Sequence, residues 1–471
     1  MQFRISYIIY VYNAENTLER CIESLLYGEE KNIEIILGED CSQDRSGMIC
    51  RKFTEQFENI KCNYNDKYSG RAYTRNRALK SAKGKYIIFV ESKDWACYEY
   101  GTLLCKAAEQ KQKNLVVSAF RIMPGLFGYE KDCLLEEEES QCLESGDYFS
   151  LIRHGLLQML WNKIFCMEVI NTYNLQFDET SERYSEFHFV VDYIKAANCR
   201  KFTLLNRALY TCSANMETIF AGQKSIEKYT AESGEVQQLS DFLEEDSVKS
   251  KAECILKDSF SEKLRQRKIK FRFDREKKKK ERQKTLNEKI IYQEKEKLKD
   301  KDFTIISQNC IGGVFYHDMG IRFQSPTINL FFESADFLKF VSKIQDYINK
   351  QLVMCWGLDY PIGTLGDIKI HFMHYSTCRE AADAWERRKA RINYEKILVL
   401  ATDRDGFSDI EFQKWQELPY KKLLFTVNQR YKDTPGVIYY AKYKKYKYIP
   451  DLIFAREFYK DGILVSTVNQ I

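Results

Sequence analysis

Four stretches of this 471-residue chain place charged side chains or glycines directly after apolar runs. IEIIL leads through Gly38 into Glu39 and Asp40, and YIIFV leads into Glu91, Ser92, Lys93 and Asp94. KILVLAT opens into Asp403, Arg404, Asp405 and Gly406, and TIISQNC ends at Asn309 and Cys310 ahead of Gly312 and Gly313. Carboxylates at such positions can hold a cation or take a proton. A lysine can stand as a point charge on phosphate but cannot coordinate a metal. Asp403 and Asp405, at the exit of a buried run, could hold a metal-nucleotide complex or form an Asx turn beside a surface arginine. The glycine pair could bring backbone N–H groups to a phosphate or sugar, or serve only as a tight turn. His371 and His374 in IHFMHY stand three apart, so on a strand they point to opposite faces and do not share a metal. One of them, His374 being the candidate, could act with Tyr375 as acid or base. Trp385, Arg388 and Asn393 recur at nearly helical spacing, so a ring and a guanidinium could line a groove for sugar or phosphate, or the tryptophan could simply dock a helix.

The elements that must carry these residues follow from the periodicity. From ISYIIYVY onward, strand-like runs without polar alternation are separated by amphipathic helical segments, as expected of a parallel sheet covered on both faces. Ligands bind such sheets outside the carboxyl ends of the strands, which puts the loops after IIYVY, IEIIL and YIIFV on one rim. Length alone predicts more than one core. Three regions are read: an α/β domain over 1–220, a charged helical connector over 221–301, and a second α/β domain over 302–471.

Composition excludes several classes. The 73 bases and 68 acids leave a net charge of +5, too balanced to argue for nucleic acid. The 15 cysteines contain no C-x-x-C pair, which argues against zinc and against a disulfide framework. No run reaches the length of a membrane-spanning helix and the start does not read as a signal peptide, so a cytoplasmic protein with reduced thiols is expected. The stretch 262–300 is rich in bases, among them Arg265, Arg267, Lys268, Lys270 and Lys277. It reads as a solvated spacer helix, or as a segment drawn to the anionic inner face of a membrane where a lipid-linked acceptor would be presented.

The stretches ISYIIYVYNAENTLERCIESLL, NIEIILGEDCSQDRSG, SGRAYTRNRALKSAKGKYIIFVESKDW and LWNKIF together resemble the donor half of the family-2 glycosyltransferases across roughly 200 residues. The resemblance implies a GT-A fold, Rossmann-like with a mainly parallel sheet, and transfer of a sugar from a nucleotide sugar, a UDP-sugar, to a glycan or lipid-linked acceptor with inversion. It implies that Tyr12, Glu39 and Asp40 lie against the nucleoside and that Arg75 faces the nucleotide or its phosphates. Three positions depart from the family pattern, one of them after ALY, where Thr211 and Cys212 stand in place of an arginine pair. Glu91-Ser92-Lys93-Asp94 stands where the family has D-S-D-D, so either Asp94 holds Mg2+ or Mn2+ or Lys93 supplies the positive charge. The family's acidic pair falls on RYSEFHF, where Phe187 replaces an aspartate and leaves Glu186 and His188 as candidate bases. These departures keep a second reading open, a degenerate domain that binds nucleotide sugar or glycan as a scaffold, with any chemistry in the C-terminal domain. From 302 on, SPTINLFF, YPIGTLGDIKIHFMHY, AWERRKARIN and LATDRDG resemble an uncharacterised domain family of exopolysaccharide-biosynthesis proteins.

Overall fold

The computed structural model describes residues 3–111, 114–122, 131–133, 142–145, 148, 151, 156, 157, 159–180, 185–213, 242, 281–357 and 360–471. The chain separates into two compact units, Met1–Arg267 and Lys268–Ile471.

In the first unit, strands β1 (Ile5–Val11), β2 (Ile33–Glu39), β3 (Ile60–Tyr64) and β4 (Tyr86–Glu91) alternate with helices α1 (Leu18–Leu26), α2 (Ser46–Gln56) and α3 (Arg71–Ser81). Then come β5 (Trp95–Ala96), α4 (Tyr100–Gln110), β6 (Asn114–Ile122), β7 (Lys131–Cys133), β8 (Cys142–Ser145), β9 (Lys163–Cys166), α5 (Met167–Thr172), α6 (Ser185–Ala196) and β10 (Lys201–Cys212). The described strands form one sheet in the order β3-β2-β1-β4-β9-β6-β10-β5, with β7 on β6 and β8 on β10. β3, β2, β1 and β4 are parallel, and β9 is antiparallel to both β4 and β6. Every residue of β1, β2 and β4 is buried, which is why these runs lack polar alternation. The fold is α/β with a mostly parallel sheet, as the pattern of runs predicts.

Register decides what the rim displays. Val11 pairs with Glu39, Glu39 with Tyr64, and Tyr10 with Glu91, so the chemical loops leave the sheet side by side. Helix α3 has no aliphatic stripe, and its buried residues include Thr74, Arg75 and Asn76. Polar contacts hold it, along with the burial of Ala72, Ala78 and Leu79. Asn76 exchanges hydrogen bonds with the backbone of Phe177, and Thr74 accepts from Asn65. A side chain at Gly38 would meet Thr74 Cγ2 at 2.6 Å, so the glycine is what lets α3 lie against β2. Helix α6 is fixed by a ring cluster: Phe189 stacks on Phe177 at 4.3 Å and meets Phe89 and Phe165 edge-on. Such pairs add about 0.5–1.5 kcal/mol each beyond burial. LWNK is internal as well. Trp161 stacks on Tyr210 at 4.6 Å, and the fully buried Lys163 donates to Leu156 O and Asn162 Oδ1.

In the second unit a helix, α7 (281–297), precedes β11 (Thr304–Ser307), α8 (Ile311–Met319), α9 (Ser334–Ser342) and α10 (Ile344–Ile348). The hairpin sheet β12 (Val353–Trp356), β13 (Pro361–Leu365) and β14 (Ile368–His371) follows, then α11 (Cys378–Lys389), β15 (Ile397–Thr402), α12 (Asp409–Glu417), β16 (Lys421–Thr426), β17 (Val437–Tyr439) and α13 (Ile463–Val468). Strands β11, β15, β16 and β17 form a parallel sheet in that order. Alternate residues serve two cores: Ile306, Val399 and Leu424 enter one with Trp385 and Trp415, while Ile305, Leu398 and Phe425 enter the other with Phe315 and Leu464. Ile290 and Ile291 of α7 pack on this second core, and Asn287 donates to Phe454 O. The end of the charged stretch is therefore built into this unit, whereas its basic part, 262–280, lies outside the described residues. Among the described residues no helix is long and apolar enough to cross a membrane.

Candidate functional site

The first-unit rim is organised around a buried arginine. Arg75, only 3% exposed, places Nη2 2.5 Å from Glu91 Oε1 and Nη1 2.6 Å from Glu186 Oε1. Arg71 lies one helical turn earlier and half-exposed, with Nη1 3.5 Å from Glu91 Oε2 and 3.7 Å from Glu186 Oε1. Both guanidiniums lie over the Tyr10 ring, at 5.3 and 6.0 Å. Lys93 is exposed in the turn between β4 and β5, and its charge acts on both Asp94 and Glu186. Three cations thus gather around two carboxylates.

The charges set each other's protonation. Burial opposes the Arg75 charge, but Glu186 and Glu91 outweigh it and raise its pKa. Burial alone would raise Glu186, yet Arg75, Arg71 and Lys93 hold its carboxyl below the usual range. Glu186 is therefore ionised at neutral pH, and a weak base while the arginines hold it.

The other expected residues occupy distinct places. Tyr12 is half-exposed on the loop after β1, its ring tilted against Tyr68 at 4.9 Å. Asp40 is fully buried and accepts four hydrogen bonds, from Tyr10 Oη, Asn65 Nδ2 and the N–H groups of Ser69 and Gly70. It shapes the loop that launches α3, and so acts on the rim through Arg71 and Arg75. Glu39 accepts from Ser42 N at 2.7 Å, and its second oxygen takes no hydrogen bond from the described residues. His188 lies two residues past Glu186 on α6, about 200° around the helix. It acts on Asp192 one turn further on, so the two candidate bases are not brought together. Phe187 is 2% exposed in the core.

Asp94, the residue expected to hold a cation, is engaged by protein donors. Its carboxylate is 1% exposed and accepts from Ser213 N at 2.9 Å, Ser213 Oγ at 3.1 Å and Tyr210 Oη at 3.2 Å. Burial pushes its pKa up to about 6. Glu91 is engaged by Arg71 and Arg75, and Lys93 stands between the two acids. Among the described residues no three His, Cys, Asp or Glu side chains gather as metal ligands. This donor set does not fit a divalent cation. Arg71 was missed in the sequence, although its spacing of four from Arg75 on a helix is the signal that finds it.

In the second unit Asp403 and Asp405 lie apart from Arg388, at opposite ends of the parallel sheet, and His374 follows the hairpin sheet. Asp403 and Asp405 lie at the carboxyl end of β15, beside a cavity of about 320 Å³ lined by Asp403, Arg404, Asp405, Phe407, Lys447 and Tyr448. Asp403 ties three segments together, accepting from Thr426 Oγ1 and the N–H groups of Val427 and Ile449. Asp405 adopts φ 54, the left-handed turn conformation, and partial desolvation of its carboxyl raises its pKa. Arg388 lies at the other end, where Asn393 meets the first residue of β11, Thr304. It donates to Tyr375 Oη and lies 5.2 Å over the Phe323 ring. His371 stacks on Phe331 at 4.4 Å, whereas His374 is exposed in the following turn with its pKa lowered by burial. The two histidines share nothing. Gly312 and Gly313 lie inside α8, where Gly312 N accepts no ligand role and donates to Ser307 Oγ.

Comparison with known proteins agrees with this division. Residues 6–163 match the family described as glycosyl transferase family 2, and residues 281–469 match a domain of unknown function (DUF1919). An uncharacterized protein of Haemophilus influenzae is 32% identical over 157 residues, 33% of this chain and 76% of that protein. The UDP-Glc:alpha-D-GlcNAc-diphosphoundecaprenol beta-1,3-glucosyltransferase WfaP of Escherichia coli is 42% identical over 91 residues, 19% of this chain and 36% of its own length. Among solved structures, Staphylococcus aureus TarS aligns at 20% identity with a TM-score of 0.40, covering 51% of this chain and 43% of that one. The chain thus spans less than half the length of WfaP or TarS. Through its N-terminal domain the chain belongs to glycosyl transferase family 2, and a C-terminal domain of unknown function follows.

Proposed function

We propose that the N-terminal unit transfers a sugar from a UDP-sugar to a glycan or lipid-linked acceptor in cell-surface polysaccharide assembly, with inversion at the anomeric carbon. The observation that carries this reading is the pairing of Arg71 and Arg75 with Glu91 and Glu186, with the charge of Lys93 acting on Glu186, at the rim where the loops after β1, β2 and β4 converge. Membership of family 2 supports the reaction class. The name of WfaP supports a UDP-linked donor and a diphospholipid-linked acceptor.

On this reading Tyr12 and the second oxygen of Glu39 meet the nucleoside, while Arg71 and Lys93 meet the diphosphate and offset the charge that develops as the bond to the sugar breaks. The acceptor oxygen attacks the anomeric carbon from the opposite face, its proton passes to a carboxylate, and the nucleoside diphosphate departs with the bonding pair. Glu186 is the carboxylate we assign to that proton. Phosphates that draw Arg71 toward themselves remove part of the field that depresses the Glu186 pKa, so donor binding raises its basicity. We also propose that the protein works on the cytoplasmic side, with the basic stretch within 262–300 drawn to anionic lipid.

The test is transfer from a panel of UDP-sugars to a diphosphoundecaprenol-linked sugar. Glu186→Gln is expected to lower kcat by about a hundredfold or more with donor KM little changed, the size of a general-base contribution. An unchanged kcat overturns the assignment. A second reading, a scaffold that binds donor without turnover, is favoured by the buried Phe187 in place of an acid. It predicts donor binding with no transfer to any acceptor.

A further inference from the structure

The C-terminal unit gathers cations that no acid among the described residues pairs. Arg387 and Arg388 end α11, Arg391 follows it, and Arg322 lies in the segment after α8. Phe323 brings the segments together: Arg388 lies 5.2 Å over its ring, and Arg391 Nη1 donates to its carbonyl at 3.2 Å. Phe323 itself packs edge-on to the fully buried Tyr316 at 6.1 Å, so the cluster is anchored to the core. Arg388 is oriented further by Tyr375, whose hydroxyl donates to Ile328 O at 2.9 Å. Arg322, Arg387 and Arg388 all act to lower the pKa of Arg391, after burial, so the four guanidiniums feel one another.

Among the described residues none of the four forms an ion pair, although Arg379 and Lys389 on the same helix pair with Asp383 and Glu386. The helix dipole favours cations in a last turn and accounts for Arg387 and Arg388 singly. It does not account for Arg391 or Arg322, which lie outside the helix. Like charges held together on an anchored frame are a local conflict of the kind proteins keep at binding sites. Planar guanidinium forks match phosphate oxygens two at a time, and four of them exceed what a single carboxylate neutralises.

We propose that Arg322, Arg387, Arg388 and Arg391 form a binding site for a phosphate or diphosphate ester, at the amino ends of the parallel strands and away from the cavity beside Asp403. It is independent of the donor site assigned to the N-terminal unit. Arg322 and Arg387 are exposed and reach the ligand directly, while Arg388 and Arg391, half-buried, are held in place by Tyr375 and Phe323.

The experiment is site-resolved labelling of the full chain with phenylglyoxal, which modifies accessible guanidiniums, read peptide by peptide by mass spectrometry. Inorganic pyrophosphate is expected to slow labelling of Arg322 and Arg387 several-fold while leaving Arg379 unchanged. In parallel, Arg322→Ala with Arg387→Ala is expected to weaken by about tenfold or more one class of pyrophosphate site seen by calorimetry. Labelling of Arg322 and Arg387 that pyrophosphate does not slow overturns the proposal. Protection by phosphatidylglycerol vesicles but not by pyrophosphate overturns it too, and assigns the patch to a membrane surface.

Discussion

At the scale of single residues, the carboxylates with the most conspicuous positions in the sequence are the ones the fold consumes. Asp40 takes four protein donors, Asp403 takes three, and Asp94 is locked to Ser213 and Tyr210. Asp94 gives a pH test. Its folded pKa of about 6 lies above the ordinary 3.8, a gap worth about 3 kcal/mol. Because the folded value is the higher one, the contribution is present below the unfolded pKa and is lost as pH rises through 6. In urea unfolding, wild type is expected to lose most of that 3 kcal/mol relative to Asp94→Asn between about pH 4 and about pH 7. Parallel profiles for the two would mean that Asp94 is not held protonated by burial. The sequence identifies which loops carry acids, because side-chain type and position after an apolar run are local facts. It does not show which acids face inward, because that depends on partners such as Asn65 and Ser213 that are distant in the chain. Arg71 was hidden for the opposite reason: an arginine on a helix reads as solvated until the strand beside it places Glu91 within reach.

At the scale of elements, α3 is the part on which the proposed site depends. It carries Arg71 and Arg75, begins at a loop shaped by Asp40, and lies close to β2 only because Gly38 has no side chain. Thr74 cannot simply rotate away, since its hydroxyl accepts from Asn65. Gly38→Ala is therefore expected to cost about 1–3 kcal/mol and to weaken donor binding. Adding Thr74→Ser, which removes the clashing methyl and keeps the hydroxyl, is expected to restore much of both, as chemical denaturation and donor titration would show. No recovery would mean that the approach of α3 is set elsewhere. Periodicity made the strands of the parallel half legible, since each is buried on both faces and reads as a continuous apolar run. Helix α3 was legible by its place in the order of motifs, not by amphipathicity, because Thr74, Arg75 and Asn76 are buried beside Ala72, Ala78 and Leu79. The lysine-rich stretch shows the limit of composition: charge suggests a spacer, while Ile290 and Ile291 are enough to dock α7 on a core.

At the scale of the whole molecule, two α/β units each have charged loops at the carboxyl ends of parallel strands. On the proposed reading the first unit binds a nucleoside diphosphate sugar through Arg71 and Lys93, with Arg75 holding Glu91 and Glu186 behind them, and not through a divalent cation. Calorimetric titration of the full chain with UDP-sugars, in EDTA and then in manganese, tests it most directly, with Arg71→Ala plus Lys93→Ala alongside. The account predicts binding to wild type that survives EDTA and falls at least about tenfold in the double variant. Binding that vanishes in EDTA, returns with manganese and is indifferent to Arg71 and Lys93 would contradict it.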